Sequence, residues 1–219
     1  MPFQAHWLRS AWLLLLLIVV SVGEAHGAPL RWGFRGGLSA ANFGGGISEL
    51  LASDARLGAD VGFVLAFPLA PGFSIQSGAG YLNKGARFTS EATDPLGNPT
   101  GTFDSVWKFD YVEVPVLLRA DVFRAARVVP YLEAGPSAGI RLKGRFATKG
   151  AVVPDVELTS DMKTLDLGYT LGAGLQMAAG VGQVGVGVRF TSGFDDLYDL
   201  DNNLSFINRT WTFAVTWMK

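Results

Sequence analysis

After Ala28 the chain alternates apolar residues with small or polar ones at a period of two, and no stretch sustains a helical period. Leu57, Ala59, Val61, Phe63, Leu65 and Phe67 share one face, opposite Gly58, Asp60 and Gly62. Leu165, Leu167, Tyr169, Leu171, Ala173 and Leu175 oppose Asp166, Gly168, Thr170, Gly172 and Gly174. Val184, Val186, Val188 and Phe190 oppose Gly185, Gly187 and Arg189, and Trp211, Phe213, Val215 and Trp217 oppose Thr210, Thr212, Ala214 and Thr216. The pattern predicts eight strands, over residues 31–42, 57–67, 72–89, 106–121, 129–142, 163–178, 183–191 and 208–217.

The connections alternate strictly. Phe43–Arg56, Ser90–Ser105, Lys143–Met162 and Ser192–Ile207 are long, whereas Pro68–Gly72, Val122–Val128 and Ala178–Gly182 are short. An antiparallel up-and-down barrel in an outer membrane requires this, with short turns in the periplasm and long loops outside. The fold class is therefore all-β, an eight-stranded transmembrane β-barrel, with both ends of the barrel chain on the periplasmic side.

The face opposite the apolar rows is Gly, Ala, Ser and Thr with isolated charges, unlike a water-exposed sheet. Small residues suit the inside of a narrow barrel, where side chains from every strand converge. In DYVEVPVLLRAD (Asp110–Asp121), Val112, Val114, Val116 and Leu118 then face lipid, while Glu113 and Arg119 point into the lumen. The same parity places Arg35, Asp60, Glu133, Arg141, Asp166 and Arg189 inside. Buried charge is costly unless paired, so Arg35, Arg119 and Arg189 are expected to contact Asp60, Glu113, Glu133 or Asp166. Pro115 lacks the N–H that a closed barrel uses and predicts a bulge. Aromatics near the row ends, Phe73 and Tyr81 or Trp211 and Trp217, match interfacial girdles. A soluble lipocalin-like barrel would invert the faces and put the uncharged Gly/Thr rows in water.

Composition narrows the chemistry. Charged residues are 17%, below the ~25% usual in soluble domains, and there are 28 glycines. A formal net charge of −1 gives no basis for a nucleic-acid partner. There is no cysteine, hence no disulfide, thiol nucleophile or lipid-anchoring cysteine. Arg9, the apolar run Ala11–Val22, and small Ala25 and Gly27 before Ala28 have the layout of a secretory signal over 1–27, leaving a barrel domain over 28–219. His6 and His26, the only histidines, fall inside that signal. A mature chain without His or Cys lacks the usual base for a serine nucleophile, so Ser39, Ser77 and Ser137 read as small barrel residues rather than catalytic ones. No enzyme activity, cofactor or metal is expected. Asp199, Asp201 and Asn203 have calcium-loop spacing, but Leu204 and Thr210 replace the required Gly and acid. Asp195, Asp196, Asp199 and Asp201 then read as a solvated acidic loop.

Several segments resemble a known family. YVEVPVLLR (Tyr111–Arg119), PYLEAGPSAGIRL (Pro130–Leu142) and RWGFRGGLSAANF (Arg31–Phe43) are similar, in order and spacing, to segments of the PorT-like outer-membrane β-barrel family. LGYTLGAGLQM and VGVGVRFTSGFDDL resemble its final third. The resemblance implies an eight-stranded barrel in a bacterial envelope, with protein secretion associated with some members and a porin-like description given to others. The ending TFAVTWMK departs from the terminal aromatic that the insertion machinery reads. The expected function is a non-enzymatic structural or interaction role through extracellular loops, with a small porin-like channel as the alternative. The expected partners are outer-membrane lipid, the insertion machinery, and an unidentified protein or surface ligand at the loops.

Overall fold

The computed structural model describes residues 29–44, 53–94, 96, 98–149, 156–157, 163–194 and 207–219. The signal segment 1–27 and the acidic positions Asp195, Asp196, Asp199 and Asp201 lie outside the described residues.

The described strands are β1 (Arg31–Gly44), β2 (Ser53–Ala70), β3 (Phe73–Thr93), β4 (Pro99–Asp121), β5 (Val128–Lys149), β6 (Val156–Glu157), β7 (Leu165–Ala179), β8 (Gly182–Gly193) and β9 (Ile207–Met218). They form one antiparallel sheet in the order β4-β3-β2-β1-β9-β8-β7-β5-β6, and β4 also pairs with β5. That last pairing closes the ring. The two-residue β6 lies against Arg145 and Phe146 at the edge of β5, so the ring itself has eight strands. At the seam, Trp32 and Lys219 exchange backbone hydrogen bonds of 3.0 and 2.8 Å, at the same end as the short turns.

Alternation is what builds the wall. On β1, Trp32, Phe34 and Leu38 are exposed, while Arg35, Ser39, Ala41 and Phe43 are buried. On β9, Trp211, Phe213 and Val215 are exposed, while Asn208, Thr210 and Thr212 are buried. The exposed row is the apolar one, and exposing such a band is favourable only in lipid. In the β4 row Leu118 is exposed, but Val116 is 6% exposed, so that row is not uniformly open to lipid.

Two expectations are corrected. Pro115 makes no bulge. Ser77↔Val116 and Gly80↔Glu113 on one side, and Pro115↔Ser137 on the other, keep a single register past it. The missing N–H leaves a gap in the ladder towards β3 rather than an extra residue. The bulge lies instead at Asp110↔Lys143 and Tyr111↔Arg141, which leaves Leu142 unmatched on β5. It reverses the parity of β5, so that Gly144 and Phe146 face inward as Arg141 does.

The second correction concerns Ser90–Ser105. It is a continuous hairpin, not a long loop. β3, β4 and β5 have 21, 23 and 22 residues, against about 9–11 needed to cross a bilayer. Thr89, Thr93, Thr100, Thr102 and Phe103 favour strand geometry in water as in lipid. Asp94 Oδ1 accepts hydrogen bonds from the amides of Leu96 (2.9 Å) and Asn98 (2.8 Å), which closes the turn. The outer face changes character along this extension. Arg87 stands opposite Asp54, Lys143 opposite Asp110, and Thr89 donates to Asp104 at 2.9 Å. This mixture of charges marks a water-exposed sheet beyond the membrane.

Candidate functional site

The interior is the place where charge collects. Arg35, Asp60, Glu113, Arg119, Glu133, Arg141 and Asp166 are all buried, and the Arg189 side chain is 13% exposed. Strand parity places each of them inside, because its outward neighbours are the lipid-facing residues.

Towards the short turns, Arg35 Nη2 lies 2.9 Å from Asp60 Oδ1 across β1 and β2. Arg189 binds both oxygens of Glu133, with Nη2 at 3.1 Å from Oε2. Gln76 links this pair to Arg119. With its amide oriented to satisfy both neighbours, its nitrogen donates to Glu133 Oε2 (3.2 Å) and its oxygen accepts from Arg119 Nη1 (3.0 Å). Arg119 itself pairs with Asp121 at 2.8 Å, not with one of the four acids expected of it. Asp121 is two residues along the same strand, hence on the same face, and Gln176 Nε2 donates to it at 3.0 Å. The Arg119 guanidinium also stacks 3.6 Å from the centre of the Tyr131 ring. Gly174 and Gly187 make room for that ring: a β-carbon on either would collide with the Tyr131 phenol.

Nearer the extension, a lysine is the hub. Lys84, 3% exposed, places Nζ 3.0 Å from Glu113 and 3.4 Å from Asp166. It sits 4.8 Å over the Tyr111 ring. Asn208 Nδ2 donates to Asp166 (2.9 Å) and to the Tyr111 hydroxyl (3.4 Å). Arg141 lies alongside, with Nη1 against Gly144. Glu113 therefore pairs with a lysine rather than an arginine: register sets Gly80 opposite Glu113 and Lys84 opposite Phe109, four residues along β3, and the long lysine side chain spans that offset. The five cations Arg35, Lys84, Arg119, Arg141 and Arg189 equal in number the five acids Asp60, Glu113, Asp121, Glu133 and Asp166, with Lys84 shared by two of the acids.

Above this layer the lumen turns aromatic. Phe43, Phe88, Phe109 and Tyr111 form a buried cluster with Trp107 packed against it. Phe43 lies 6.1 Å from both Phe88 and Phe109, and Trp107 meets Phe146 edge-on at 5.3 Å. Two lumenal cavities, one bordered by Arg35, Gln76 and Pro115 and the other by Arg35, Tyr131 and Glu133, measure about 10 Å³ each. Each has room for about one water molecule. Ser39 donates to the Asn83 carbonyl at 2.9 Å, and Thr170 and Thr191 bond each other at 2.8 Å. Among the described residues, no group of three or more His, Cys, Asp or Glu side chains is placed to hold a metal.

This architecture can be set beside known proteins. Residues 24–199 match the family model described as outer membrane protein beta-barrel domain. The chain belongs to that family. It is an outer-membrane β-barrel protein, and its location is the bacterial outer membrane. The match does not supply the finer PorT-like assignment. Among solved structures, Neisserial surface protein A is similar at 10% identity and a TM-score of 0.50, covering 86% of this chain and 95% of that one. OprG from Pseudomonas aeruginosa is similar at 10% identity and a TM-score of 0.43, covering 86% and 95%. At such identity the likeness concerns the fold alone. No curated protein matches the sequence.

Strand reasoning missed Lys84, Gln76, Tyr111, Tyr131, Asp121 and Asn208 within this outer-membrane barrel. For Lys84 the signal was present: it shares parity with Gln76 and Gly80, both inward on β3.

Proposed function

We propose that this outer-membrane barrel is non-enzymatic and non-conducting, and that it acts through the surface its extended strands and loops present outside the membrane. The observation that carries this reading is the filled lumen. Matched charges occupy the lower and middle levels, aromatics occupy the upper level, and the gaps described above hold about one water each. A hydrated ion would have to break several buried pairs to pass. The strands from β2 to β5 continue well past the bilayer and offer a rigid platform, and loops on such scaffolds are where binding residues concentrate. The secretion link of the PorT-like resemblance fits a platform that contacts another envelope protein. Planar-bilayer recording of purified, refolded protein tests the proposal. Silence, with folded insertion verified by gel mobility, is the expected outcome. Stable, ion-selective steps would support the porin-like alternative instead.

A further inference from the structure

Strands β4 and β5 are joined at the short-turn end by residues 122–127. Here Phe123 has φ 53, the only positive φ of a non-glycine among the described residues. A bulky residue in left-handed backbone is an outlier, and this side chain is 77% exposed. In water the strained aromatic would gain nothing. Arg124 and Arg127 follow it in the turn, both exposed, and no side-chain ion pair or hydrogen bond is seen for either among the described residues. Arg124 lies against Gly72 of the neighbouring turn. The segment continues the lipid-facing band: Phe73, Leu118, Val128 and Leu132 are exposed on β3, β4 and β5 just before it. Val181, in the turn between β7 and β8, is 82% exposed at the same end.

We propose that this turn seats in the headgroup layer of the membrane leaflet at the short-turn end and binds an anionic glycerophospholipid there. Phe123 enters the boundary between headgroups and acyl chains, where aromatic rings are favoured. Arg124 and Arg127 bind the lipid phosphate, whose oxygens a guanidinium matches as a two-toothed donor. Continuity with the lipid-facing band selects lipid over a soluble partner protein. The exposed cations select an anionic headgroup over a zwitterionic one.

The chain has no cysteine, so Ala125→Cys can carry a single bimane label. The labelled full chain is refolded into phosphatidylcholine vesicles containing phosphatidylglycerol, with the bromine quencher on one lipid or the other. Brominated phosphatidylglycerol is expected to quench more strongly than brominated phosphatidylcholine. Arg124→Gln and Arg127→Gln should each lower that preference about fivefold, the effect of one cation at an anionic surface. Arg124→Lys should retain part of it, and Phe123→Gly should red-shift the label towards water-like emission. Folding of each variant is checked by gel mobility. An unquenched label in the wild-type background would place the turn in water, free for a soluble partner, and overturn the proposal. Equal quenching by the two lipids, unchanged in the arginine variants, would overturn it as well.

Discussion

Replacing Lys84 by methionine removes the shared countercharge of Glu113 and Asp166 while keeping most of the side-chain volume. At 3.0 and 3.4 Å, the gross attraction to each carboxylate is about 5 kcal/mol at an effective dielectric constant of ~20. Desolvation of the three groups offsets much of that sum. The useful magnitude is therefore the cost of breaking a buried pair, roughly 3–5 kcal/mol. The two acids are not equally stranded. Asp166 keeps the Asn208 donor, whereas Glu113 Oε2 has the Lys84 ammonium at 3.0 Å and no further hydrogen-bond donor. Glu113→Gln removes the acid and leaves Lys84 with Asp166, so it should cost less, about 1–3 kcal/mol. In the Lys84→Met, Glu113→Gln double variant the stranded charge is gone, and a coupling of about 1–3 kcal/mol should appear. Urea unfolding in vesicles, followed by tryptophan fluorescence and by the mobility of unheated samples, gives all four corners of this cycle. Asp104→Ala, which removes the exposed acceptor of the Thr89 hydroxyl, serves as the control at about 0.5 kcal/mol or less. A Lys84→Met barrel within about 0.5 kcal/mol of wild type, or purely additive single effects, would refute the assignment of Lys84 as the hub.

Two further variants probe other levels of the interior. Gly187→Val should clash with the Tyr131 phenol, disturb the Arg119 stack, and destabilise the barrel by about 1–3 kcal/mol; an unchanged urea midpoint would count against that packing. Phe109→Ala, at a fully buried position of the aromatic cluster, should cost about 3–5 kcal/mol within the extension. It should open residues 90–105 to protease while the membrane-spanning part stays resistant, and unaltered cleavage would contradict the role of the cluster.

The wall of this barrel was legible because lipid demands a strict period of two. Rows such as Leu57–Phe67 and Trp211–Trp217 state which side faces out, and the isolated charges between them are then inside. Partner choice was not legible. It depends on register between strands distant in sequence: Lys84 reaches Asp166 only because β3, β4, β5 and β7 align as they do. Arg119 was expected to contact Asp60, Glu113, Glu133 or Asp166, yet it pairs with Asp121, two residues along its own strand. The extension was missed for another reason. The stretch from Ser90 to Ser105 is polar and contains glycine and proline, a loop-like composition, but a sheet need not stop where the membrane does. Finally, the unmatched Leu142 reverses the parity of β5, so simple alternation assigns Gly144 and Phe146 to the wrong side.

The central claim is that the apolar rows meet lipid while a packed, charged interior lies behind them. Spin labels on single cysteines along β4 test it most directly, at Val112, Val114 and Leu118 for the outer row and at Pro115 and Leu117 for the inner one. Collision with oxygen, which concentrates in the bilayer, and with a water-soluble nickel chelate is measured at each site in vesicles. The account predicts high oxygen access at the outer positions and low access to both reagents at the inner ones, alternating along the strand. Nickel access at Pro115 and Leu117 comparable to that of a label at Leu96, the exposed tip of the β3–β4 hairpin, would reveal a water-filled lumen and contradict it.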